Sequence, residues 1–279
     1  MNESFREIVV HVDDAARSVV RLTLARRLAA LHGGHLVALY AGLPAIATLP
    51  YGPGIGPELM ARVMGEDEQR RQQARWRVEA ALAGAGPASR YVESLEPDPA
   101  GACARWALCA DLLVVGQHSP GPDAPSLPPN FVESVLQASG RAALVVPHSG
   151  EWSRFGDTVA IAWKPTPEAS RAVAAALPLL RAARAVHLLC WEPAAAEPPL
   201  PVRPDPVAWL AAHGVRAVVH REIAPDAEVG ELLLSRACDL DAELLVMGCY
   251  GHARWREWVL GGVSRTVLSS MTVPVLMSH

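Results

Sequence analysis

The sequence predicts an α/β protein with doubly wound parallel sheets, and it predicts that architecture twice. The segment Ala110-Asp111-Leu112-Leu113-Val114-Val115-Gly116 returns as Ala242-Glu243-Leu244-Leu245-Val246-Met247-Gly248. Each copy is a short apolar run ending at a glycine, the mark of a buried strand. Along both halves such runs alternate with stretches of helical length. Strands buried on both faces and joined by right-handed helical crossovers give a parallel sheet with helices on either side.

Taken in order, the first half opens with a strand at 8–13, a helix over 15–31 and a strand at 35–40. A Pro/Gly-rich stretch, 42–57, leads into a long charged helix over 58–82. A strand at 89–93, a helix at 99–109, the strand ending at Gly116, a helix carrying Val135-Leu136 and a strand at 143–148 complete it. The second half repeats the plan. A strand at 159–164 precedes a helix over 168–183 and a strand at 186–191. The region 193–206 then leads to a short helix at 207–213, a strand at 216–221 and a helix at 226–238. After the strand ending at Gly248, a helix from about Gly262 carries Val267-Leu268, and a strand runs over 274–279. The polar segment 149–155 separates the two, giving domains 1–149 and 156–279.

Composition narrows the function classes. Hydrophobic residues are 51% of 279 and charged residues 19%, enough apolar material for large cores and too much for a disordered chain. A net charge of −4 argues against a nucleic-acid binder. The polar start, Met1 to Glu7, lacks a secretory pattern, and the longest uncharged stretch, 36–57, holds four prolines that a membrane span would not carry. The cysteines Cys103, Cys109, Cys190, Cys238 and Cys249 share no CxxC spacing, which fits a reducing cytoplasm.

Ligands of doubly wound sheets bind at the carboxyl ends of the strands, where strand order reverses. In the second half that region reads Gly248-Cys249-Tyr250-Gly251, nine residues, then Gly261-Gly262-Val263-Ser264. Glycines let backbone N–H groups approach an anion, and a helix N-terminus adds partial positive charge. Ser264 is placed to cap the helix or to donate to a phosphate, and Arg254 and Arg256 to neutralise one. Lys164, the single lysine of the chain, ends the first strand of this half.

A strand, Gly-x2-Gly-x9-Gly, a helix and the closing Val273-Pro274-Val275-Leu276 strand resemble the universal stress protein family. The likeness spans both halves, so the chain resembles a tandem two-domain member. The resemblance implies a Rossmann-like, open five-stranded parallel sheet of order 3-2-1-4-5 in each half. It implies an adenine nucleotide, ATP with magnesium, with its phosphates on the glycine loop; the candidate contacts in this chain are Gly248, Gly251, Gly261, Gly262, Val263, Ser264, Arg254 and Lys164. It further implies pairing through the last strand, as an internal pseudo-dimer or a homodimer, and a stress-response or regulatory role through a protein partner.

The chain also departs from the family pattern. Gly262 stands where the family has Ser or Thr, and Lys164 where it usually has Asp. The first half keeps the acid, Asp13, but continues from Gly116 as Gln117-His118-Ser119, without the second glycine. Leu127-Pro128-Pro129-Asn130 replaces the glycine pair, and the prolines remove N–H donors. The first half therefore reads as a degenerate site.

Other chemistries have less support. There is no G-x-S-x-G elbow, no Walker loop and no metal-ligand spacing around His118 or His252. Trp255 and Trp258, one helical turn apart, read as cover for a sheet edge ahead of a ligand lid. Cys103 and Cys109 read as core residues, and the charged helix over 58–82 as a solvated face. With no positioned general base, the chain reads as a nucleotide-binding protein, not an enzyme. A tandem interaction module that binds no nucleotide is the alternative. A nucleotide-using enzyme is a third and weaker one.

Overall fold

A computed structural model of the protein describes residues 4–48, 56–118, 127–152, 154–192, 205–223, 228–249 and 262–279. The chain divides into two compact units, 4–141 and 142–279.

The first unit runs β1 (Glu7–Val12), α1 (Ser18–His32), β2 (His35–Ala41), a short 3-10 turn (Ala45–Thr48), α2 (Pro57–Leu82), β3 (Ser89–Ser94), α3 (Pro99–Ala107), β4 (Leu112–Gly116) and α4 (Phe131–Ser139). Its strands stand in the order β3-β2-β1-β4, all parallel. The central strands are buried on both faces because every residue from Ile8 to Val12 and from Leu112 to Val115 is shielded, which is why they lack polar alternation. Helix α1 turns Leu22, Ala25, Leu28 and Ala29 toward the sheet. It stops at Gly33, whose left-handed φ of 61° closes the last turn, with Gly34 N–H donating to Ala29 O.

Helix α2 behaves as its charge pattern requires. Only Val63, Ala74 and Val78 are buried along its 26 residues. Its outer face carries the ion pairs Arg70–Asp67 and Arg71–Glu68, and Arg75 reaches Glu93 on β3 at 3.0 Å.

The second unit contains β5 (Ala143–Val146), β6 (Thr158–Trp163), α5 (Pro167–Ala182), β7 (Ala185–Glu192), α6 (Pro206–Ala212), β8 (Ala217–Ile223), α7 (Val229–Asp239), β9 (Leu244–Gly248), α8 (Gly262–Ser270) and β10 (Val275–Ser278). The strand order is β5-β10-β9-β6-β7-β8. From β8 to β10 this is the 3-2-1-4-5 order, with parallel neighbours throughout. The strand β5 joins antiparallel, pairing Val145 with Val275 and Ala143 with Met277.

Helix starts follow local capping chemistry. Thr166 Oγ1 accepts from Ala169 N–H before α5, Asp205 from Val207 and Ala208 before α6, and Asp98 from Gly101 before α3. Each of these helices carries a proline at its start, where no N–H is needed. One sequence expectation is corrected. Cys103 is core, but Cys109 is exposed, because α3 ends at Ala107 and Cys109 falls in the turn beyond it.

Candidate functional site

In the first unit, β1 and β4 end side by side, and the residues that follow them enclose a buried polar cluster. Asp13, 2% exposed, lies just past β1. Arg21 on α1, 5% exposed, reaches it with Nη2 at 2.7 Å. The same guanidinium donates to Ser18 Oγ at 3.0 Å and, through Nε, to His11 O at 3.1 Å. Ser18 Oγ donates to Asp13 Oδ1 at 2.6 Å, and Ala15 N–H donates to that oxygen at 3.0 Å. Burial works to raise the Asp13 carboxyl, but Arg21, His11 and the Ser18 hydroxyl outweigh it and hold the group below the usual carboxylate range.

His11 completes the cluster. Its Nε2 donates to Ala41 O at 2.7 Å, which leaves Nδ1 as the unprotonated nitrogen. That Nδ1 is buried without a hydrogen-bond partner and faces Asp13 Oδ2 at 3.9 Å. Burial lowers the ring to about 4, against the opposing pull of Asp13. Phe131 of α4 packs beside it at 4.7 Å between ring centroids.

This cluster fills the space between the ends of β1 and β4. A Cβ on Gly116 would lie 2.6 Å from Arg21 Nη1, so the guanidinium sits directly over the end of β4. The cavity left between Asp13, Arg21, Gln117, Pro128 and Phe131 is about 10 Å³. That is room for roughly one water. Arg21 itself occupies the space at the ends of the two strands.

The second unit differs at the same two positions. Lys164, just past β6, is exposed and pairs with no carboxylate among the described residues. Arg21 lies eight residues after Asp13, and Ala172 stands at the same remove from Lys164. The buried faces agree residue for residue: Ser18, Arg21, Leu22 and Ala25 on α1 against Ala169, Ala172, Val173 and Ala176 on α5. A methyl group has taken the guanidinium's place.

The other residues proposed from sequence fall as follows. Gly248 ends β9 against the start of α5, and a Cβ there would lie 2.4 Å from Ala169 N. Cys249 is buried, its N–H donates to Ser278 O, and burial with Glu168 nearby pushes the thiol up to about 12. Gly262 opens α8, where an added Cβ would meet no described atom within 4 Å, and Val263 follows in the first turn. Ser264 is third in that helix and 4% exposed. Gly251, Arg254 and Gly261 lie outside the described residues, as do Arg256, His252, Trp255 and Trp258. The structure thus brings Lys164, Gly248 and the start of α5 to one strand-end region. Among the described residues no group of three or more His, Cys, Asp or Glu side chains is placed to hold a metal.

Arg21 is the functional-site residue that sequence reasoning missed. Its signal was an arginine in phase with Leu22, Ala25 and Leu28 on an otherwise apolar helix face.

A universal stress protein from Archaeoglobus fulgidus DSM 4304 aligns over 99% of this chain and 98% of its own, with a TM-score of 0.68 and 17% identity. The fold is that of the universal stress proteins. A functionally unknown protein from Pseudomonas aeruginosa PAO1 shares this universal stress fold, over 99% of this chain and 93% of its own, at a TM-score of 0.62 and 16% identity. No protein-family model matches the sequence, and no curated protein matches it. No helix among the described residues is long and apolar enough to cross a membrane.

Proposed function

We propose that the chain is a tandem, universal-stress-type nucleotide-responsive protein of the cytoplasm, and that its second unit alone binds an adenine nucleotide. The observation that carries this reading is the exchange of Asp13 and Arg21 for Lys164 and Ala172. It removes the internal guanidinium and leaves an exposed cation, paired with no carboxylate among the described residues, that suits an external anion. ATP phosphates, with magnesium neutralising part of their charge, would lie along 248–264. Lys164 and the N–H groups at the start of α8 would face them. Ligand binding there changes the surface that a regulatory protein partner reads. Cys249 is too buried and too high in pKa to serve as a nucleophile, in keeping with a binding role instead of catalysis.

The test uses the single lysine. Calorimetric titration with magnesium and ATP is expected to give one site per chain. Acylation of Lys164 by an amine reagent, followed by peptide mass spectrometry, is expected to slow when ATP is bound. Lys164→Glu, and separately Gly251→Ala/Gly261→Ala, are expected to weaken binding by about tenfold or more, the loss of one charge-assisted contact. No heat at millimolar ATP from a folded protein overturns the reading.

One observation favours the interaction-module alternative. The close approach of Ala169 N accounts for Gly248 by packing alone, without a ligand. Under that alternative Lys164 acylation is indifferent to ATP, and both units act through their surfaces.

A further inference from the structure

The face of β7 and β8 carries a chain of hydrogen bonds that no ligand-binding role uses. Leu189 pairs with His220 and His187 with Val218, so the two histidines project from the same side of adjacent strands. His187 Nδ1 lies 3.0 Å from His220 Nε2, and Arg236 Nη2 on α7 lies 3.3 Å from His220 Nδ1. An arginine can only donate, so His220 Nδ1 accepts and its proton sits on Nε2. That proton is donated to His187 Nδ1, and the His187 proton sits on its own Nε2. The direction of the whole chain, from Arg236 through His220 to His187, requires both rings to be neutral.

A proton arriving at either acceptor breaks the chain. On His187 Nδ1 it opposes the His220 N–H. On His220 Nδ1 it displaces Arg236. Either event puts a second positive charge beside the guanidinium. Among the described residues, the charged group facing the pair is Arg236 on α7, which is itself paired with Glu222 on β8 and Asp239 on α7. Arg236 Nε stands 3.3 Å from Glu222 and Nη1 stands 3.8 Å from Asp239. On the other side β6 presents Ala160 opposite His187. Partial burial, with His220 and Arg236 nearby, lowers the His187 ring from its ordinary value.

Helix α7 connects this chain to α8. Gly230 and Arg236 lie on the same helix, about 9 Å apart along its axis. A Cβ on Gly230 would fall 2.8 Å from Thr266 Cβ, so α7 and α8 meet at backbone distance. Thr266 is about one turn from Gly262, where α8 begins.

We propose that His187, His220 and Arg236 form a proton-operated latch that holds α7 on the sheet edge, and that its protonation loosens α8 and lowers nucleotide affinity. The second clause rests on the nucleotide reading above; the latch itself does not.

The test compares the parent with His187→Asn/His220→Gln, whose amides donate and accept hydrogen bonds without titrating. His187→Asn alone serves if the double variant fails to fold. Amide hydrogen exchange over 229–239, corrected for intrinsic rates, is expected to quicken about tenfold in the parent between roughly pH 7.5 and 5.5, and less than about twofold in the variant. The Kd for magnesium and ATP is expected to rise about threefold more in the parent than in the variant, which carries the ligand's own titration. Unchanged α7 exchange in the parent overturns the latch. Quickened exchange with equal Kd ratios overturns its coupling to the nucleotide. Quickened exchange with no ATP binding at either pH overturns the nucleotide reading and leaves the latch standing.

Discussion

At the end of its first strand, the 4–141 unit places a carboxylate and answers it from the following helix with Arg21. At the equivalent points the 142–279 unit has Lys164 and Ala172. Both positions are changed together, and each pair is coherent by itself. A buried arginine needs the aspartate, because an unpaired charge in that setting is severely penalised. A small alanine needs no charged partner. One fold thus supports a self-satisfied strand end in one copy and an exposed cation in the other. The difference lies in the counter-charge: the helix supplies it in the first unit, and no described carboxylate supplies it to Lys164 in the second.

The most direct way to break this comparison is to move the first unit's pair into the second. Lys164→Asp/Ala172→Arg is expected to close the second strand end and abolish ATP binding by calorimetry, with cooperative unfolding retained. The reverse change strikes stability. Arg21→Ala leaves Asp13 buried and unpaired and is expected to cost about 3–5 kcal/mol in urea denaturation. Asp13→Asn/Arg21→Met is expected to recover most of it. The same change in the second unit does not exist to be made, so a comparable loss from Lys164→Ala would erase the distinction.

Acid sharpens the comparison further. His11 is neutral when folded and lowered to about 4. Its unfolded form titrates near 6.5, so the unfolded chain takes up the proton first. Stability from this ring is complete above about pH 6.5 and is lost as pH falls toward 4, on the order of 3 kcal/mol. Asp13, lowered by its partners, adds a loss in the same direction at still lower pH. Amide exchange in β1 and β2 reports this, and His11→Asn is expected to flatten the upper part of the profile.

The glycines that end the fourth strand of each copy give a smaller contrast. At Gly248 an added methyl meets the backbone of α5, which cannot move alone, whereas at Gly116 it meets the side chain of Arg21. Gly248→Ala is expected to cost about 1–3 kcal/mol and Gly116→Ala less, read by thermal denaturation. The smallest effect belongs to the caps. Thr166→Ala removes the α5 cap and is expected to cost about 1 kcal/mol, while α1 has no side-chain cap to lose at Arg17.

Much of the fold was legible because buried parallel strands leave a blunt signature: Leu112 to Val115 and Leu244 to Met247 have no polar alternation to misread. Helix ends were legible where Pro, Asp or Thr marks them, as at Thr166 and Asp205. The short turn at Ala45–Thr48 was not, since it lies in a Pro/Gly-rich stretch with no periodic signal. The candidate site was less legible than the fold, for a physical reason. Gly248 has one appearance in sequence whether a phosphate or a helix backbone approaches it, and only the neighbour at 2.4 Å distinguishes them. Arg21 was hidden similarly, because its meaning depends on Asp13 and Gly116, brought to it by three separate elements.

The antiparallel pairing of β5 with β10 has a practical consequence for dividing the chain. A fragment beginning after residue 149 would retain the five strands β6–β10 but lose β5, the strand that covers the outer edge of β10. The row of N–H and C=O groups on Val275 and Met277 would then be open to any extended chain, including another molecule of the same fragment. Self-association of such a fragment would be a product of the cut.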